Sequence, residues 1–597
     1  MAWQQGPRDP AATRQSGPAG PPAAAPRRQP GSHRAQPARS DGGRPPGNGR
    51  DTGPRPGAEN TNVVRSSGVM ALGTLASRGT GFLRTLVLAY VLGSGSGRIG
   101  GISNAYINAN TLPNAVYDLM LGGILTSVVV PLLVNAAKRD ADGGEAYDQR
   151  MFTLATVALA ALTLVATVAA GLLVDLYAHN ITGSEHNLMV IFAYFFVPQI
   201  FFYGVSSLAG GVLNARGSFA APMWTPVLNN LVVIVVLVMF IVIGGTSASV
   251  ATISPGQIQL LGIGTTLGIV VQTIALVPSL RRVGFRWRPR FDFRRAEVAE
   301  IVRMAAPLFG YIVTTQVSFV VVQNVANTAW QHVRYDGPPT YSYAWQLFQM
   351  PYAIVGISVI TALLPRMSAH AAERRYGDVK RDFSGGVRLS SVIVVPASLL
   401  LLVLGAPFAE ALFGYGHTSA ANARYIGLVF GIFSLGLVPY MMFQLMLRVF
   451  YAMHDSRTPM YIGVAVMATN IVACLLSLAM LPAGHVMEGL AVAFGLGNLV
   501  GTVIAWRILS RRMRGLAGRS IAVSLIHMHM AAVPAAVFAV AVSFTVGVIL
   551  SPGPAFGIVT VIIGGGGALL LYVLFAKAFG ITELTELGRG LRSRLGR

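Results

Sequence analysis

Two arginines, Arg78 and Arg84, sit inside a long apolar stretch in Ser77-Arg-Gly-Thr-Gly-Phe-Leu-Arg84. A guanidinium is always charged, and its planar fork of N–H donors can grip two carboxylate or phosphate oxygens at once. At mid-bilayer such a charge costs about 2.5–3.5 kcal/mol on insertion scales, so it usually faces a cavity. Six helical residues turn through about 600°, which sets the two side chains roughly 120° apart around the axis and about 9 Å apart along it. Both can border one wide cavity. Snorkelling to a headgroup is the alternative for either.

The next apolar stretch carries Asn104, Asn108, Asn110, Asn114 and Asp118 around Pro113. A proline removes a backbone donor and lets a span bend. Asp118 fits either an Arg–Asp pair holding spans together or a proton or cation site. Further along, Tyr341, Tyr343, Trp345, Gln346 and Gln349 form a second polar face. The candidate substrate-binding residues are Arg78, Arg84, Asn104, Asn114, Asp118, Gln346 and Gln349. Their chemistry is recognition of an anionic, hydrogen-bonding solute inside the membrane.

Enzymatic motifs are missing. There is no Gly-x4-Gly-Lys-Ser/Thr and no His-Glu-x-x-His. The single cysteine, Cys474, excludes a disulfide framework and multi-cysteine metal sites. His417, His454, His527 and His529 have no metal-ligand spacing with acidic neighbours. Gly262, Gly264 and the run from Gly564 to Gly567 lie in apolar stretches, where small residues allow close helix packing. No cofactor is expected. Arg448 and Glu410 read as interfacial, and Asn470 as a packing amide.

These residues need a membrane scaffold. Of 597 residues, 53% are hydrophobic and 11% charged, against about 25% charged in a soluble domain. The expected fold class is an all-α polytopic membrane protein. Apolar stretches long enough for a bilayer centre near Thr74, Met120, Leu164, Phe201, Val232, Thr265, Thr315, Val355, Val395, Gly431, Val466, Gly495, Val537 and Gly567. That makes about 14 transmembrane helices. The net charge of +22 reads as cytoplasmic loops meeting anionic membrane lipid, with no nucleic-acid partner. Arg/Lys clusters alternate with nearly bare loops, so both termini are expected in the cytoplasm.

Pro113 and Pro351 are 238 residues apart, each leading to a second proline and a basic loop. Leu213-Asn-Ala-Arg-Gly-Ser-Phe-Ala-Ala-Pro-Met223 aligns with Phe450-Tyr-Ala-Met-His-Asp-Ser-Arg-Thr-Pro-Met460 at an offset of 237. Two pairs at one period indicate a duplicated six-span unit whose copies run parallel. The expected organisation is a disordered basic cytoplasmic tail at 1–60, a six-helix lobe at 61–282, a second at 283–515, helices 13 and 14 at 516–580, and a cytoplasmic tail at 581–597.

The Ser77–Arg84 opening, Leu112-Pro-Asn114 with Val130-Pro-Leu132, Leu213-Asn-Ala215 with Pro222, and Phe450–Pro459 together resemble the MurJ (MviN) family. The resemblance runs from about residue 64 to 515. It implies a lipid II flippase of the superfamily that includes MATE exporters, in a bacterial cytoplasmic membrane. It further implies two parallel six-helix lobes in a V-shaped bundle, a cationic cavity for the diphosphate and sugar–peptide headgroup, and a groove at spans 13 and 14 for the polyprenyl tail. Further cell-wall synthesis proteins are candidate partners. Arg78 and Arg84 match residues regarded as important in the family. Other positions depart. Asn104 stands where Asp is usual, Tyr117 and Gln346 where Arg is usual, and Gly122 and Gln349 where acids are usual. Two family cations are kept and two lost. Three further readings stay open: a MATE-like drug/cation antiporter, a flippase for another polyprenyl-diphosphate-linked glycan, and an inactive scaffold for cell-wall enzymes.

Overall fold

In lipid, backbone N–H and C=O groups must be satisfied within the segment, which leaves helices for long apolar runs. The computed structural model shows helices and no strand among the described residues. These are residues 56–95, 100–119, 144–292, 295–333 and 337–585, with isolated positions between 132 and 142. The chain divides into two units, Met1–Asn60 and Thr61–Arg597. Only the helical start from Pro56 is described in the first, so the expected tail lies outside the described residues, as does the chain beyond residue 585.

The first helices are α1 (Pro56–Leu92), α2 (Gly100–Leu119), α3 (Glu145–Val168), α4 (Ala170–Tyr177), α5 (Gly183–Phe196), α6 (Gln199–Ala215), α7 (Ala220–Val242), α8 (Pro255–Ile274) and α9 (Val277–Arg282). Then come α10 (Arg295–His332), α11 (Pro338–Ala372), α12 (Tyr376–Phe413), α13 (Ala420–Leu435), α14 (Leu437–Ala452), α15 (Arg457–Met480) and α16 (Val486–Arg512). The last are α17 (Gly518–Ile549), α18 (Pro554–Thr560) and α19 (Gly566–Ala578). Except for Met120, which lies outside the described residues, every expected span centre falls in one of these helical stretches.

Nine described helical stretches are long and apolar enough to cross a membrane, or ten if a bent pair counts as one. The bent pair is α13 and α14, at 47°. Gly436 forms the joint, and a Cβ there would meet the Gly495 Cα of α16 at 3.1 Å. Glycine thus lets the break press directly against a neighbouring backbone.

Packing follows two groups. In the first, α7 packs on α8, α2 on α5 and α3 on α6. In the second, α12 packs on α13, α15 on α16 and α10 on α15. Helices α17 to α19 cover α12. Large side chains anchor the interior of the described residues, among them Trp330, Tyr343, Phe192, Phe196, Phe433 and Phe450, each under 2% exposed.

The two turns aligned at an offset of 237 can be compared directly. Gly217 has φ +75° and His454 has φ +58°, and the two are 237 residues apart. Both turns thus use the same left-handed residue before the next helix. In the second copy, Asp455 accepts from the Thr458 N–H at 3.0 Å and from its hydroxyl at 2.6 Å. Arg512 donates to Asp455 at 2.5 Å and to the Thr458 hydroxyl at 2.9 Å. In the first copy, Arg216 donates to Asp148 at 2.6 Å and to the Val283 carbonyl at 3.2 Å. The conspicuous Phe450–Pro459 motif therefore builds a clamped turn.

Candidate functional site

Helix α7 sets the rotation of α1. Asn230 donates to the Ser77 carbonyl at 3.2 Å and to the Thr80 hydroxyl at 3.1 Å, and the Trp224 indole donates to the Val69 carbonyl at 3.2 Å. Arg78 is exposed and Arg84 half-buried. Neither is in an ion pair or hydrogen bond among the described residues. Arg84 lies within electrostatic range of the Tyr106 hydroxyl on α2. Arg78 lies within range of the Tyr352 hydroxyl on α11.

Arg448, on α14, reaches the same Tyr352 hydroxyl. Its guanidinium lies 5.7 Å from the Tyr451 ring centre, and its Nε is buried without a partner. Arg448 thus lies near the C-terminal end of its helix and still comes within reach of α11. Side chains lean toward the N-terminus of their helix, so an arginine near the C-terminal end of α14 reaches back into the bundle. The site therefore contains a third cation, facing Arg78 from the other helix group.

The other candidates separate. Gln346 receives the hydroxyl hydrogen bond of Thr85, joining α11 to α1. Gln349 is exposed on the same helix. Asn114 accepts from the Tyr203 hydroxyl at 3.0 Å and donates to the Asn110 carbonyl at 2.8 Å. Asn104 is fully buried and donates to Glu185 at 2.9 Å, so it belongs to a packed seam. The Asp118 side chain lies outside the described residues. The second polar face is only partly polar. Tyr343 stacks on Phe413 at 5.5 Å, and Trp345 packs on Phe494 at 4.9 Å. The interfacial reading of Glu410 is corrected: it is fully buried and accepts from the Gly553 N–H at 2.8 Å. Asn470 accepts from Ser318 at 3.1 Å, tying α15 to α10.

The seam closes one end of the site. The Trp330 indole of α10 donates to Glu185 at 2.8 Å. Gln323 donates to Asn108 at 3.3 Å, and Asn327 donates to the Tyr177 carbonyl at 3.1 Å. Asn324 accepts from the His179 N–H at 3.1 Å. Thr418 donates to the Ala89 carbonyl at 2.7 Å, and the His417 N–H donates to the Tyr90 carbonyl at 2.9 Å. The arginine-rich loops lie at the opposite end. Sequence reasoning missed Glu185, Gln323, Asn327 and Trp330. A signal was present in the polar stripe Gln323, Asn324, Asn327, Thr328, whose i, i+4 spacing matches that of Asn104 and Asn108.

Such a bundle, with two helix groups closed over one end and uncompensated arginines in its depth, defines a polytopic helical membrane transporter. A family model described as lipid II flippase MurJ matches residues 88–559, and the chain belongs to that family. It is 26% identical to the lipid II flippase MurJ of Burkholderia cenocepacia, over 74% of this chain and 82% of that protein. It is 25% identical to the probable lipid II flippase MurJ of Rhizobium meliloti, over 87% of this chain and 94% of that protein. Among solved structures, a lipid II flippase MurJ in an inward closed conformation matches with TM-score 0.68 and 17% identity, over 85% of this chain and 98% of that one. An inward-facing MATE transporter matches with TM-score 0.60 and 15% identity, over 74% and 96%.

Proposed function

We propose that this protein moves lipid II from the inner to the outer leaflet of the bacterial cytoplasmic membrane by alternating access. One observation carries the reading: Arg78, Arg84 and Arg448 have no carboxylate partner among the described residues. Three such charges in a bundle call for an anionic ligand, and arginine forks match diphosphate oxygens. Arg78 and Arg84 hold the diphosphate from one lobe and Arg448 from the other, with Gln346, Gln349, Asn114 and Asp118 toward the sugar–peptide. Asn104 acts through the seam.

The lobes are 61–282 and 283–515, followed by helices at 516–580. With fourteen spans and arginine-rich loops on the cytoplasmic side, both termini are cytoplasmic and the closed seam lies on the outer side. A drug/cation antiporter would need an accessible carboxylate, whereas Glu185 accepts from Asn104 and Trp330, and Glu410 is buried against the Gly553 N–H and 3.9 Å from Arg424. Depletion of the protein, followed by labelling of lipid II from outside the cell, tests the reading. Lipid II should accumulate inside and its external signal should fall. An unchanged external signal would favour a scaffold or a drug pump.

A further inference from the structure

The segment that joins the two helix groups, residues 283–292, is strapped onto the first. Phe285 and Trp287 pack on Phe152 of α3 with ring centres 5.4 and 5.5 Å apart. The Trp287 indole and the Arg290 N–H both donate to the Thr153 hydroxyl, at 3.2 and 3.1 Å. Arg216 stacks over Phe285 at 5.3 Å. Beneath the strap is a cavity of about 710 Å³ walled by α3, α6, α8 and α9, with Phe201, Ile274 and Trp287 among its lining residues. This volume is in the range of ligand pockets, about 300–1,000 Å³. Ile274 is 61% exposed and Trp287 46%, so the cavity opens on the outer face of the first helix group. It is separate from the site between the groups.

Two arginines, Arg281 and Arg286, line the same cavity. Both are exposed, and neither side chain has a hydrogen bond or ion pair among the described residues. The nearby acids are engaged elsewhere. Asp148 pairs with Arg216 at 2.6 Å, and Asp292 lies 3.6 Å from Arg150. Among the described residues no carboxylate pairs with Arg281 or Arg286, which leaves both open to an anion from the membrane. An aromatic and aliphatic interior beside two free cations, at the arginine-rich end of a membrane bundle, has the chemistry of an acyl chain below a phosphodiester.

We propose that this cavity binds an anionic glycerophospholipid, with its phosphate at Arg281 and Arg286 and an acyl chain beneath Phe285 and Trp287. The bound lipid then fastens the connecting segment to the first helix group. The inference concerns a resident membrane lipid and does not depend on which substrate is transported.

The test uses the full-length protein in nanodiscs of phosphatidylcholine with increasing phosphatidylglycerol. Native mass spectrometry counts retained lipid. Bromine-labelled phosphatidylglycerol quenches tryptophan, and comparison with Trp287→Phe isolates the signal at this cavity. Phosphatidylglycerol should be retained in preference to phosphatidylcholine and should quench Trp287. At about one surface-cation increment each, Arg281→Gln with Arg286→Gln should weaken retention about thirtyfold. Arg281→Lys with Arg286→Lys should keep most of it. Val277→Phe, which narrows the mouth while leaving both charges and adding no tryptophan, should abolish the quenching difference. Equal retention of phosphatidylcholine, or retention and quenching untouched by these variants, would overturn the proposal. So would preferential retention of a polyprenyl diphosphate at this cavity, which would assign it to the substrate.

Discussion

Asn108 and Asn327 exchange hydrogen bonds in both directions across the seam, at 3.1 and 2.8 Å, with both side chains almost wholly out of solvent. A paired amide of this kind satisfies all four groups only while α2 and α10 stay together. Hydrogen bonds between membrane helices average about 0.6 kcal/mol each. Several in parallel hold one end shut by a few kcal/mol, a barrier that substrate binding can overcome.

Asn327→Ala should loosen the seam by about 1 kcal/mol, because it removes the bonds to Asn108 and to the Tyr177 carbonyl while Asn108 keeps Gln323 and Asn104. A cysteine introduced for the buried Ser103, in a Cys474→Ala background, reports on opening. Its labelling by a water-soluble thiol reagent should accelerate at least fivefold in the Asn327→Ala variant. Unchanged labelling would mean that the amide pair is passive packing.

Arg78, Arg84 and Arg448 should contribute alike to substrate capture. A charge-assisted hydrogen bond is worth about 1.5–3 kcal/mol, and a hydrated site favours the lower half. Alanine at any one of the three should weaken capture about tenfold. Lysine should rescue partially, because it keeps the charge and loses the fork. The double variant Arg78→Ala/Arg84→Ala should be inserted and inactive, and Gln346→Arg in that background should restore some activity. Measured lipid II binding by the purified variants decides it. Normal binding by the double variant would place the headgroup elsewhere.

Asp455 makes the clamped turn sensitive to acid. Burial pushes its carboxyl up, but hydrogen bonds from the Thr458 hydroxyl and N–H and from Arg512 outweigh that and hold it at about 2. A free aspartate titrates near about 3.9. Because the folded value is depressed, the stabilisation is fully present above that unfolded value and fades as pH falls toward 2. Asp455→Asn should lower the melting temperature by a constant amount above pH 5, with the gap closing below pH 4. A gap independent of pH would show that the carboxylate charge is immaterial to the turn.

Topology can be read with two labels. A reporter fused after Arg597 should behave as cytoplasmic. A cysteine at the exposed Ser247 should be labelled from outside, with Cys474 silent because it is fully buried. An external C-terminus would refute the even span count and the parallel repeat with it.

The scaffold was largely legible in the sequence because bilayer length and proline spacing are local signals. The aligned segments that suggest the repeat each hold a left-handed residue, Gly217 and His454, before the next helix. The site was less legible. Depth along a span says nothing of the direction in which a side chain leans, so the approach of Arg448 to Tyr352 is not legible in the sequence. Tyr343 and Trp345 were read as polar when their rings join an aromatic cluster. Glu185 gave no sign of its role, because its partners Asn104 and Trp330 lie 81 and 145 residues away.

The strap over α3 also bears on where this polypeptide could be cut in two. Each half already carries its own clamped turn, and residues 283–292 hold to the first half through Thr153, Phe152 and Arg216. Separate genes for the pieces ending and beginning just after Asp292 should therefore yield fragments that find each other through the seam and reconstitute transport when co-expressed. Moving the break ten residues earlier would leave Phe152 and Thr153 uncovered on one fragment and an unattached aromatic tail on the other, and assembly should fail.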